Sequence, residues 1–258
     1  GADNGLGVAM MMAILESKTI KHPDIEALFT IDEETGMTGA LNLKGGILRG
    51  KILLNMDTEE DDEIDIGCAG GIDVTATREY HEEETSKDSV GYTITVKGLN
   101  GGHSGIDIHK GLGNANKIMN RLLYDAFENF GLQVSEIDGG SLRNAIPREA
   151  SAVVAFDKDA LKHFEAEIAK ISDEIRVEFS TVESALTISL HEASSSGSAV
   201  DHAEFVKILN TLYSVPNGVY RMSPDIEGLV EASSSLARVI ITNGEFTTQS
   251  LQRSSVET

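Results

Sequence analysis

The chain has 258 residues, 40% of them hydrophobic and 24% charged, enough for one or two domains with their own core. Its 42 acidic residues against 21 basic ones argue against nucleic acid and against an anionic membrane surface, both of which call for patches of Lys and Arg. The single cysteine, Cys68, excludes an internal disulfide framework and suits a reducing cytoplasm, and no apolar run reaches the roughly 20 residues of a membrane-spanning helix. Residues Leu6 to Leu15 are apolar on nearly every face and follow Asp3-Asn4, so they predict a buried helix capped near Asn4. The apolar runs Ile25 to Ile31 and Lys51 to Met56 predict buried strands, each ending in acids. Helix, strand, connection, strand is an α/β pattern, and purely apolar strands favour a mostly parallel sheet covered on both faces.

From about Gly70 the texture changes to half-exposed alternation, in Ile72 to Arg78 and Gly91 to Val96, separated by the charged turn Glu82-Glu83-Glu84. Helical spacing returns in Gly111 to Asn129 and Asp159 to Glu178, with strands expected at Leu132 to Ile137, Ala150 to Phe156 and Val182 to Leu190. A further helix is expected at Asp201 to Tyr213, then strands at Gly228 to Ala232, Ala237 to Thr242 and Phe246 to Leu251. The expected organisation is therefore part of an α/β domain over 1–69 and an α+β domain over 70–258, with helices packed on an antiparallel sheet. The second domain reads as two similar halves, 70–195 and 196–258.

Four acids, Asp3, Glu33, Glu34 and Asp57, fall on this reading at one edge of the first sheet, where open α/β sheets bind ligands. Carboxylates gathered there repel one another unless a cation neutralises them, and oxygen ligands suit zinc, manganese or magnesium when water or imidazole completes the shell. Each acid alone is more often an ordinary solvated loop residue, and it is their shared placement that points to a metal. His103 lies in Asn100-Gly101-Gly102-His103-Ser104-Gly105, where glycine lets the backbone approach a ligand while the imidazole projects; a plain surface turn also accounts for it. In Ser141 to Arg148, Asn and Arg could clamp a carboxylate, although a turn ending at Pro147 explains the loop equally well; Arg253 is a weaker case of the same kind.

Taken together, Gly1-Ala2-Asp3-Asn4-Gly5, Thr30 to Gly36, Leu54 to Asp57, Gly101 to Gly105 and Arg143 to Pro147 resemble the di-zinc peptidases related to aminoacylase and glutamate carboxypeptidase. Gly105 to His109 and Met222 to Leu229 look like the aminoacyl-histidine (carnosinase-type) dipeptidases within that group. The resemblance implies hydrolysis of dipeptides of the Xaa-His kind in the cytoplasm. It also implies two zinc ions per site, with cobalt or manganese as substitutes. Asp3 matches the carboxylate bridging the zincs, Glu33 the general base, and Glu34 and Asp57 the ligands of one zinc each. His103 matches an oxyanion donor on a lid, Asn144 a lid residue that holds substrate, and Arg253 a carboxylate-binding arginine. A homodimer through the lid is implied as well.

The family's His-x-Asp motif would fall before Asp3 and its further metal histidine after Thr258. The 258 residues are therefore expected to be a central piece of such an enzyme, one that binds metal poorly and is inactive by itself. Two alternatives stand beside this reading: a non-catalytic dimerisation module, and another amidohydrolase of the group, such as an acylamino-acid deacylase or a tripeptidase.

Overall fold

An N-terminal helix, α1 (Gly5–Glu16), starts where the Asn4 side chain accepts the Gly7 N–H at 2.7 Å, satisfying one of the unpaired donors of the first turn. The computed structural model describes residues 4–57, 62, 64, 67–194 and 196–256, without the side chains of Glu34 and Thr35. The chain divides into two units, Gly1–Ile66 and Gly67–Thr258.

In the first unit the helix is where the sequence predicts it, but it is not buried. Leu6 is 65% and Met12 60% exposed, and Gly7 is the helix residue that is buried. Two further single-turn helices follow, α2 (Glu33–Gly36) and α3 (Thr38–Leu41). The strands expected at Ile25 to Ile31 and Lys51 to Met56 do not form, and Ile52, Leu53 and Leu54 are each more than three-quarters exposed. A strand exists through its ladder partner, and among the described residues of this unit neither run has one.

The second unit is built on one sheet. Its strands in chain order are β1 (Gly70–Glu79), β2 (Glu82–Glu84), β3 (Ser89–Lys97), β4 (Gly102–His103), β5 (Gln133–Gly139), β6 (Ala145–Ile146), β7 (Ala150–Asp157), β8 (Thr187–Ala193), β9 (Ser198–Val200), β10 (Gly218–Met222), β11 (Val230–Thr242) and β12 (Glu245–Ser254). The main sheet runs β1-β12-β11-β5-β7-β3-β8, with β10 also paired to β11, and every ladder is antiparallel. Strands from both sides of residue 195 thus lie in a single ladder. Short pairs β2-β9 and β4-β6 stand apart from it.

Helices α4 (Ala115–Phe130), α5 (Leu161–Phe179) and α6 (His202–Ser214) carry the apolar stripes read from the sequence. Asn114 caps α4 by accepting from the Asn116 and Lys117 N–H groups, and Gly131, at φ 60, ends it. The core closes with Phe164, fully buried, stacked on Phe156 at 4.0 Å between ring centres and edge-on to Phe130 at 5.5 Å.

Local differences from the expected elements have simple causes. The serines Ser233-Ser234-Ser235 interrupt an apolar pattern that predicts two strands, yet they are buried inside the single long β11 because β12 on one side and β10 on the other supply their ladders. The turn expected at Glu82 to Glu84 is the strand β2, made by pairing with β9. The last strand of the first helix-backed half begins at Thr187 rather than Val182, because Ser180 to Leu186 first form a turn in which Glu183 N–H donates to the Phe179 carbonyl at 2.8 Å.

Lys117 fastens α4 to α6. Its half-buried ammonium donates to the carbonyls of Leu212 at 2.6 Å, Tyr213 at 3.1 Å and Val215 at 2.5 Å, groups that the C-terminus of α6 leaves without helical partners. Burial pushes the Lys117 pKa below the ordinary lysine value. Lys117→Met keeps the aliphatic stem and removes the donors, and is expected to lower unfolding stability by about 1–3 kcal/mol. A urea titration checks this, and an unchanged midpoint would refute it.

Candidate functional site

The loop between β3 and α4 carries His103 and is shaped by close packing. Gly101 has φ 67, and a Cβ there would lie 2.3 Å from Arg148 Cγ, so the turn excludes any side chain. Pairing of β4 with β6 places His103 opposite Ala145, and Ser104 N–H donates to the Asn144 carbonyl at 2.8 Å. Asp107 closes the turn from inside, its Oδ2 accepting the His103 N–H at 2.7 Å and its Oδ1 bonding Lys110 Nζ at 2.6 Å. The Lys110 bond, then the His103 N–H, hold the Asp107 carboxyl below its usual pKa.

The imidazole is oriented by its own loop. His103 Nδ1 accepts from Ile106 N–H at 3.1 Å and from Gly105 N–H at 3.3 Å, which favours the ring proton on Nε2, whereas the Arg253 guanidinium facing Nε2 only donates and favours it on Nδ1. Arg253, on β12 and 150 positions further along the chain, brings its Nη2 to 3.4 Å from that Nε2. Its guanidinium lies along Gly105, where a Cβ would stand 2.9 Å from Arg253 Nε. Among the described residues Arg253 Nε and Ser104 Oγ are buried without a hydrogen-bond partner. The cluster therefore offers donors, Arg253 Nε and the Ser104 hydroxyl, and an oxygen-rich ligand complements it.

The fold thus brings His103 and Arg253 together, with the Asn144 backbone carbonyl bonded to the residue after His103. The other arginines of the loop after β5 are taken up elsewhere: Arg143 Nη2 donates to Thr75 Oγ1 at 2.8 Å, and Arg148 Nε to the Leu99 carbonyl at 3.2 Å. Ser104 and Asp107 are neighbours of His103 in the candidate site that the sequence reading did not single out. Their proximity to His103 in sequence was the available signal.

In the first unit, Asp32 has φ 64, an uncommon conformation for a non-glycine residue, immediately before Glu33. Asp32 also accepts a short hydrogen bond from Thr38 Oγ1. Glu33 and Asp57 are exposed, and Asn4 Nδ2 donates to the carbonyl of Met56, the neighbour of Asp57, at 2.6 Å. Asp3 lies outside the described residues, as does the Glu34 side chain. The shared sheet edge expected for the acids is absent here, since its strands do not form. Among the described residues no three His, Cys, Asp or Glu side chains come together to hold a metal, so the described residues do not by themselves fit a zinc site. No described helix is long and apolar enough to cross a membrane.

Residues 94–182 match the family of the peptidase dimerisation domain. The whole chain aligns at 38% identity with 53% of the cytosol non-specific dipeptidase of Escherichia coli K12. It also superposes with a TM-score of 0.82, at 40% identity, on 52% of the crystal structure of aminoacylhistidine dipeptidase from Vibrio alginolyticus. The chain spans about half the length of each of these relatives. The stretch 94–182, antiparallel strands backed by helices, thus matches the peptidase dimerisation domain within a chain similar from end to end to two dipeptidases.

Proposed function

We propose that this chain is part of a metal-dependent dipeptidase that hydrolyses short peptides, Xaa-His dipeptides among them, in the cytoplasm. The meeting of His103 with Arg253 carries the reading, because it sets an imidazole beside a permanent cation where a peptide presents a carbonyl and a carboxylate. Arg253 Nε and the Ser104 hydroxyl take the substrate carboxylate. His103 Nε2–H donates to the carbonyl oxygen as it gains charge, and Asn144 holds the substrate from the facing strand pair. Glu33 is the proposed general base, and Asp3, Glu34 and Asp57 the proposed metal ligands, zinc being the proposed metal at two ions per site. The domain organisation proposed with it is a partial catalytic domain over 1–69 and a lid over 70–258.

Hydrolysis of β-alanyl-histidine, with bound zinc counted, tests the reading in the 258-residue chain and in a longer protein that contains it. The expected result is turnover and about two zinc ions in the longer protein only, with Glu33→Gln lowering its kcat by about 10²–10⁴-fold. Absence of activity and metal from both would favour an association module. That second reading draws on β1, whose ten residues are all exposed and which, among the described residues, pairs with β12 on one side only.

A further inference from the structure

We propose that Glu183 is a positioning residue, a buried carboxylate that pins both ends of the His103 loop and so sets the orientation of the imidazole; the role rests on the reading of His103 given above. Glu183 is 3% exposed and sits in the turn after α5, far in sequence from the loop it holds. Its Oε2 accepts the Asn100 N–H at 2.7 Å and its Oε1 the Gly113 N–H at 2.8 Å. The Asn100 side chain returns a second tie, Nδ2 donating to the Val182 carbonyl at 2.5 Å. Between these two anchor points lie His103, Ser104 and Asp107.

A carboxylate buried without a cation is costly, and among the described residues no Lys, Arg or His lies within ion-pair range of Glu183. What offsets that cost is a pair of charge-assisted bonds to backbone donors. The two oxygens of one rigid group fix the separation of Asn100 and Gly113, which a mobile turn would not. Gly113 is fitted to this contact: a Cβ there would stand 2.8 Å from Leu99 Cδ2 and 3.4 Å from Glu183 Cγ. A glutamine has the same shape but only one acceptor oxygen, and it turns an N–H₂ donor toward the other backbone N–H. The charge, not the bulk, is what the loop requires. Asp107 and the β4-β6 pair hold the inside of the loop, and Glu183 holds its frame.

The test is Glu183→Gln in the 258-residue chain, read by the ¹⁵N shifts of the His103 ring and by hydrogen exchange at the Asn100 and Gly113 amides. The expected result is one dominant ring tautomer in the unsubstituted chain and a changed tautomer balance in the variant. Protection at the two amides is expected to fall about tenfold, with Glu183→Asp recovering part of both signals. A His103 ring signal unchanged in the variant while the amides loosen would overturn the proposal, leaving Glu183 a purely structural tie. If the variant does not fold, exchange in the unsubstituted chain decides: fast exchange at both amides overturns the proposal, and slow exchange at both supports it. In the longer enzyme, kcat for β-alanyl-histidine is expected to fall with little change in KM. An altered ring signal with unaltered kcat would uphold the positioning by Glu183 and overturn instead the role assigned to His103.

Discussion

His103→Ala in the longer enzyme is expected to lower kcat for β-alanyl-histidine by about 10²–10³-fold, the loss typical of one removed oxyanion donor. Nδ1 is already committed to the Gly105 and Ile106 amides, so Nε2 is the ring nitrogen left to face substrate once Arg253 Nη2, 3.4 Å away, turns to the substrate carboxylate. A donor aimed at charge that develops only during reaction acts on kcat rather than on ground-state binding. Arg253→Ala should behave differently: it removes a cation facing a carboxylate that is charged throughout, so KM rises more than kcat falls. Steady-state kinetics on both variants checks the split. Equal changes in KM for the two, with kcat untouched in His103→Ala, would remove the oxyanion role.

Phe164→Ala is expected to destabilise the second unit by about 3–5 kcal/mol, the cost of emptying a sealed aromatic site. Phe164 has no exposure, stacks on Phe156 of β7, meets Phe130 at the end of α4 and belongs to α5, so its ring joins the sheet to two helices. Neighbouring aromatics of this size cannot collapse far into the void, which sets the loss at the upper end of large-to-small changes. The midpoint of urea unfolding followed by far-UV circular dichroism measures it. A loss below about 1 kcal/mol would mean that the aromatic cluster does not hold the helices to the sheet.

The helices of the second unit and most of its strands are legible in the sequence because their signals are local. Leu122, Leu123, Ala126 and Phe127 recur at helical spacing, Asn114 and Gly131 punctuate the ends of α4, and Ile94 and Val96 alternate with polar neighbours on β3. His103, Asn144 and Arg253 are singled out by their motifs, and the roles proposed for them rest on that likeness. Only the tertiary structure decided that His103 meets Arg253, because strand order puts β12 beside β1 and β11 and packs Arg253 against Gly105 of the His103 loop. It also decided that Arg143 serves β1 instead of the site, and that Glu183, which no spacing connects to His103, frames its loop. The apolar runs of the first unit mark the opposite limit. Hydrophobic pattern states what a segment would bury, but a strand is completed by the backbone donors and acceptors of a neighbour, and those are distant in sequence.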